Sequence, residues 1–259
     1  MSLVKVHVHE HTGTLVLNRP EKRNALSRKL IADIDEALHD LHGQRAVRAV
    51  IIAASGPAFC AGMDLAEMQA TSEEPDALAR WHDDAQIYRD LLETMLRYPK
   101  PLIAAVHGPA LAGGLGLVLA CDVVLGAPEA TFGLPEPKRG LVAAVVAPLL
   151  AFRIGGGRAA YLLLTADVIG AQEAHRIGLV HELVSANQLW PRGGQLCGEF
   201  AMSAPEALLM TKRMLNESIG ETVTTQLAAG AALSATARTT EAAKEGLAAF
   251  LEKREPRWT

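Results

Sequence analysis

The chain has 259 residues, 49% of them hydrophobic but only 4% aromatic, and a formal net charge of -4. That length suits one large domain with a sizeable core packed by Ala, Leu and Val, which favours an α/β protein rich in helix over an aromatic-rich β-sandwich. The acidic balance, with only short basic groups at Lys138, Arg139 and at Lys253, Arg254, Arg257, excludes a nucleic-acid footprint. Residues 4–8 alternate apolar with polar and predict a strand, Gly13 a turn, and 14–17 the hairpin partner. Ser27 is placed to cap a helix whose apolar positions Leu30, Ile31, Ile34, Ala37, Leu38 and Leu41 share one face. The β-branched run 47–53 predicts a strand, broken by Gly56-Pro57, and strand–helix–strand order implies a crossover unit. A short helix over 63–70, an acidic loop over 71–76 and a helix over 77–98 follow. Then come a strand at 103–106, a helix at 113–120, a strand at 123–126, helices at 145–152, 158–164 and 171–177, and a last strand at 179–184. Beyond Asn187 only helical patterns remain, with Pro205 in a first turn and a final helix toward Lys253. This divides the chain into an α/β body over 1–200 and a helical region over 201–259.

The apolar stretch 102–127 is long enough for a bilayer, but His107, Pro109, three glycines and Asp122 cut it into short pieces, so buried strands and a helix are expected instead of a membrane span. The three cysteines, Cys60, Cys121 and Cys197, have no metal-ligand spacing, and an odd number argues against a disulfide framework. With no signal-peptide pattern in its first residues, a reduced cytoplasmic protein is expected. His7, His9 and His11 share a face of the first strand without an acid partner and are read as an exposed stripe, while His107, Trp81 and Trp190 are read as structural.

Three elements carry chemistry. Ala112, Gly113, Gly114 and Gly116 open an apolar helix, where glycines let a ligand reach free backbone N–H groups. Leu119 stands where a dinucleotide fingerprint needs its third glycine, so a Rossmann reading is weak. The segment Phe59-Cys60-Ala61-Gly62-Met63-Asp64-Leu65 follows a strand and opens a short helix, with Asp64 placed to cap it. Glu136 follows the apolar segment 130–134 and a proline; partial burial there would raise its pKa into a range useful for a base. Singly, each element has a bland reading as close packing, a strand-to-helix turn or an exposed acid.

Together they resemble the crotonase, or enoyl-CoA hydratase/isomerase, superfamily. The resemblance runs through Leu17-Asn18-Arg19-Pro20 with Asn24-Ala25-Leu26, then Phe59 to Leu65, Pro101 to Gly108, Ala112 to Asp122 and Phe132 to Glu136. It continues in Leu164-Thr165, Ala171 to Ala174, Gly178-Leu179-Val180, Glu245-Gly246, Phe250 and Glu252-Lys253-Arg254. It implies a spiral body of repeated ββα turns carrying an acyl-CoA site, and a C-terminal helical region that builds homotrimers or homohexamers. It implies an acyl-CoA thioester as substrate, with coenzyme A entering as part of it, and no metal or separate cofactor; the acidic balance and the broken apolar stretch are what argue against a nucleic-acid or membrane partner. By match to the motifs, the backbone N–H groups of Ala61 and Gly113 would form an oxyanion hole and Glu136 would move the proton. Ala25, Ala61, Gly62, Met63, Asp64, Leu65 and Gly113 would line the CoA and acyl path, with Met68, Leu134, Leu141 and Val142 shaping the acyl pocket.

The sequence departs from the two-glutamate hydratases of that superfamily, because Gly116 stands where the first glutamate would be. A single base suits a Δ3-to-Δ2 enoyl-CoA isomerase. The run Ala112-Gly113-Gly114-Leu115-Gly116-Leu117, with Arg139-Gly140-Leu141 and Ala144-Val145-Val146-Ala147-Pro148, is closer in texture to the methylglutaconyl-CoA hydratase branch. A hydratase is the favoured expectation, the isomerase second, and a non-catalytic acyl-CoA binder or scaffold third.

Overall fold

The computed structural model describes residues 2–258. Val4–His9 (β1) and Thr12–Leu17 (β2) form an antiparallel hairpin with Val4 opposite Leu17. The reversal falls at Glu10, which takes φ 51°, and not at Gly13. Gly13 lies inside β2, where a Cβ would stand 2.9 Å from a Leu41 methyl; it serves close packing of the following helix. That helix, Arg28–Gly43 (α1), begins as expected: the Ser27 hydroxyl accepts from the Leu30 N–H at 3.1 Å, a cap that typically contributes about 1 kcal/mol. Its expected apolar face is buried in full.

The body continues through Ala49–Ala54 (β3), Leu65–Ser72 (α2), Ala77–Arg97 (α3), Leu102–Val106 (β4), Ala110–Leu111 (β5), Gly113–Ala120 (α4), Val123–Gly126 (β6) and Thr131–Gly133 (β7). A 3-10 turn, Glu136–Arg139, leads to Ala147–Ile154 (α5), Gly156–Thr165 (α6), Val168–Gly170 (β8), Ala171–Arg176 (α7), Glu182–Leu183 (β9) and Leu189–Ala201 (α8). The tail is Pro205–Arg213 (α9), a π-helical turn Met214–Ile219, Glu221–Ala237 (α10) and Glu241–Leu251 (α11). Pro205 opens α9 as a first-turn residue, where its missing N–H costs nothing.

Two sheets alternate along the chain. One has six strands in the order β1-β2-β3-β4-β6-β9, parallel from β2 onward; the other has three, β5-β7-β8. The path β4–β5–α4 and then β6–β7 places one strand in each sheet before each return, which is a repeated ββα spiral. The short strands β5 and β8 are too brief to leave a periodic signature in sequence. One face of the larger sheet packs on α1, α3 and α4 through Leu15, Leu30, Leu38, Val50, Leu92 and Leu102. The other face packs on α8 through Ile51, Ile103, Leu125 and Leu196. Among the described residues no helix is long and apolar enough to cross a membrane. Asp122, just past α4, fastens two neighbours, accepting from the Leu102 N–H at 2.8 Å and from Lys212 Nζ at 2.7 Å. His107 is structural too, its Nε2 lying 2.8 Å from the Gly56 carbonyl.

Candidate active site

Two sharp backbone bends lie side by side. The Cys60 N–H donates to the Pro109 carbonyl at 3.1 Å and the Leu111 N–H to the Cys60 carbonyl at 2.9 Å, so residues 60–63 run beside 110–113. Gly62 adopts φ +95°, and a Cβ there would stand 2.6 Å from the Ala112 Cβ, so only glycine fits. Ala112 holds φ 51° and ψ -127°, a region an alanine rarely enters, and its N–H is tied to the Gly133 carbonyl at 2.9 Å. That kink starts α4 with the Gly113 N–H free of any hydrogen bond among the described residues. The helix dipole adds partial positive charge at the same place.

The second free amide belongs to Met63. The Leu26 N–H donates to the Gly62 carbonyl at 2.8 Å and the Asp64 N–H to the Leu26 carbonyl at 3.0 Å, which leaves the Met63 N–H between them facing the other way, without a partner among the described residues. The expectation for Ala61 is therefore corrected. Its N–H donates to the Arg23 carbonyl at 3.0 Å and is committed to the fold. Asn24 fixes that carbonyl: its amide donates to the Ser55 and Ala58 carbonyls, both at 2.9 Å, and its Oδ1 accepts from the Arg19 N–H at 2.8 Å.

Glu136 opens the 3-10 turn after β7. Its carboxyl is enclosed, and Oε2 is buried without any hydrogen-bond partner among the described residues. Burial raises its pKa to about 7, against smaller opposing contributions from its own N–H and the Arg139 charge. Gly140 closes the turn at φ +64°, where a Cβ would stand 2.1 Å from the Ala242 carbonyl oxygen of α11.

Met63, Gly113 and Glu136 line one cavity, partly open to solvent. Ala61, Leu65, Met68, Leu141 and Val142 also line it, whereas Leu134 is buried behind. Ala25, Gly62 and Asp64 lie outside that lining. Asp64 instead caps α2, accepting from the Ala66 N–H at 3.0 Å, and pairs with Arg19 at 2.7 Å; the ion pair and these N–H donors hold its pKa low against the cost of burial. Gly62 shapes the bend, and the Ala25 carbonyl takes an Arg19 N–H at 3.0 Å.

Tyr88, on α3, also lines the cavity, and nothing in the sequence singled it out. Its hydroxyl donates to the Gly113 carbonyl, and burial pushes the phenol well above its usual pKa, with Cys60 and Glu136 adding to the rise. A Cβ at Gly116 would stand 2.0 Å from that hydroxyl oxygen. The space beside Gly116 is thus filled by a phenol, and among the described residues Glu136 is the one carboxylate lining the cavity. Gly114 is a packing glycine, since a Cβ there would meet the Cys60 carbonyl oxygen at 2.3 Å.

The arrangement offers two unpartnered amides for a developing oxyanion and one enclosed carboxyl for proton transfer. Residues 9–259 match the family model described as Enoyl-CoA hydratase/isomerase. A Thermus thermophilus protein named "Putative enoyl-CoA hydratase" is 39% identical, over 96% of this chain and 97% of its own. A crotonyl-CoA hydratase of Syntrophomonas wolfei is 36% identical, over 95% of this chain and 93% of its own. The solved structure of an enoyl-CoA hydratase from Mycobacterium avium superposes with a TM-score of 0.88 at 30% identity, covering 100% of both chains.

Proposed function

The chain belongs to the enoyl-CoA hydratase/isomerase family, and on that premise we propose that it adds water to the double bond of a 2-enoyl-CoA. The observation that carries this reading is the orphaned Oε2 of Glu136 in the same cavity as the free Met63 and Gly113 amides. The thioester oxygen accepts from the two N–H groups, each such donor contributing about 3–4 kcal/mol to transition-state stabilisation. A water gives its proton to Glu136 while its oxygen bonds to C3. The C2–C3 π pair moves into the thioester as an enolate, and Glu136 returns its proton to C2. One residue near neutral pKa can serve as base and then acid.

The absence of a second carboxylate among the described residues lining the cavity favours one further reading, a Δ3-to-Δ2 isomerase in which Glu136 takes a proton from C2 and returns it at C4. A non-catalytic binder is disfavoured, because an unpartnered buried carboxyl costs stability and binding alone has no use for it. Exposed apolar side chains at Tyr161, Leu164, Met210 and Ile219 support assembly as a homotrimer or homohexamer. Three free buried thiols support a cytoplasmic location.

Incubation with 2-enoyl-CoAs and 3-enoyl-CoAs in heavy water, followed by mass, separates the readings. Gain of one solvent molecule by a 2-enoyl thioester is the expected result. Conversion of 3-enoyl to 2-enoyl species without solvent gain would assign the isomerase instead. Glu136→Gln should lower kcat at least a thousandfold while acyl-CoA binding persists; equal turnover in the variant would remove Glu136 from the mechanism.

A further inference from the structure

The acyl cavity has a charged wall that the reaction above does not use. Arg238, just past α10, is only 7% exposed and lines the cavity together with Ser234, one turn earlier. A guanidinium carries five N–H donors. The hydrogen bonds of the Arg238 guanidinium among the described residues are two, both at 3.5 Å, to the Trp81 carbonyl and the Ser234 hydroxyl. No carboxylate among the described residues lies within 4.0 Å of it. Asp84, the acid whose charge it feels, is held by Arg28 through two bonds of 2.6 and 2.9 Å. The neighbouring Glu67 carboxylate accepts the Arg28 N–H at 3.1 Å. Both acids are therefore occupied, and Arg28 adds a second positive charge nearby.

A buried cation without a close counter-ion is costly, and it is retained where a ligand supplies the anion. The other walls beside it, Leu65, Met68 and Leu141, are apolar and suit methylenes. An arginine fork in the wall of a cavity, flanked by apolar side chains, matches a carboxylate, which it can grip through two parallel N–H···O bonds.

We infer that Arg238, with Ser234, is an anion subsite of the acyl pocket, and that the chain takes acyl-CoA thioesters whose acyl group ends in a carboxylate. This rests on the acyl-CoA reading of the cavity, but it concerns binding and needs no turnover to be tested. CoA carries anions of its own in its phosphates, so the two sources of negative charge must be told apart.

The measurement is calorimetric titration of the full-length protein with glutaryl-CoA, valeryl-CoA and free CoA, for wild type, Arg238→Met and Arg238→Lys. Wild type is expected to bind glutaryl-CoA at least tenfold more tightly than valeryl-CoA. In Arg238→Met that ratio should collapse to near one, while Arg238→Lys keeps part of it. Equal affinities in wild type for glutaryl-CoA and valeryl-CoA, and likewise for the succinyl-CoA/butyryl-CoA and adipyl-CoA/hexanoyl-CoA pairs, would overturn the inference. So would a loss in Arg238→Met shared by free CoA, which would assign the arginine to a phosphate, or by valeryl-CoA, which would make it structural. If Arg238→Met fails to fold, the wild-type ratios and Arg238→Lys decide. A carboxylate preference without hydration of any enoyl-CoA would remove the hydratase reading and leave the subsite standing.

Discussion

At the scale of single residues, Glu136 sets both pH dependence and stability. Its pKa rises from the usual carboxylate value to about 7 on folding. The folded chain therefore binds more protons than the unfolded chain between roughly pH 4.5 and 7, and stability falls as pH rises across that window. The full cost, reached above pH 7, is about 3 kcal/mol. Glu136→Gln removes the charge and keeps the shape. Denaturation of the variant should show it more stable than wild type at pH 8 and little different at pH 4. An equal offset at both pH values would mean that the carboxyl is solvated. The turn and the lone acid of this site are legible in sequence because Pro135 and the apolar segment before it mark them. Met63 is not: its amide is free because Leu26 pairs with the Gly62 carbonyl and the Asp64 N–H on either side of it, a contact between distant loops. Tyr88 and Arg238 are equally silent in sequence, since a lone tyrosine or arginine on a helix carries no motif.

At the scale of elements, the glycine run divides into two purposes. Gly113 gives its amide to the cavity, while Gly114 and Gly116 admit Cys60 and Tyr88 to the face of α4. The helix itself is legible from its apolar run, and so is the cap of α1 at Ser27, because both signals are local. What fills the place beside Gly116 depends on the packing of α3 against α4, which no local pattern reports. Gly116→Ala should therefore destabilise by roughly 1–3 kcal/mol, as overpacking does. In a Tyr88→Phe background the clashing oxygen is gone, and the nearest ring carbon stands 3.2 Å from the new Cβ. The cost should shrink, leaving a coupling of at least about 0.5 kcal/mol in a double-mutant cycle by chemical denaturation. Strict additivity would show that the phenol does not occupy the space.

At the scale of the molecule, the helical region after residue 200 is more than an appendage to the body. Helix α10 brings Ser234 to the cavity and leads into Arg238, and α11 lies against the turn that carries Glu136. The contact is close from both sides: a Cβ at Gly246 would stand 2.2 Å from the Arg139 carbonyl oxygen, and the Arg139 guanidinium lies 4.5 Å over the Phe250 ring. Helical periodicity reveals the tail in sequence but not the direction in which it folds back, since Gly246 and Gly140 are ordinary helix and turn glycines until their neighbours are known. Gly246→Val should leave the main core intact, because that core is built from the body, α10 and their helices. It must push α11 away from the Glu136–Arg139 turn. A displacement of about 1 Å at a proton-transfer group can cost roughly a hundredfold in rate. Opening the turn to water would also relieve the burial that raises the Glu136 pKa. The expected signature in a pH–rate profile is thus a lower kcat together with an ascending limb shifted toward the ordinary carboxylate range. A lowered denaturation midpoint with the limb unmoved near pH 7 would assign α11 to stability alone.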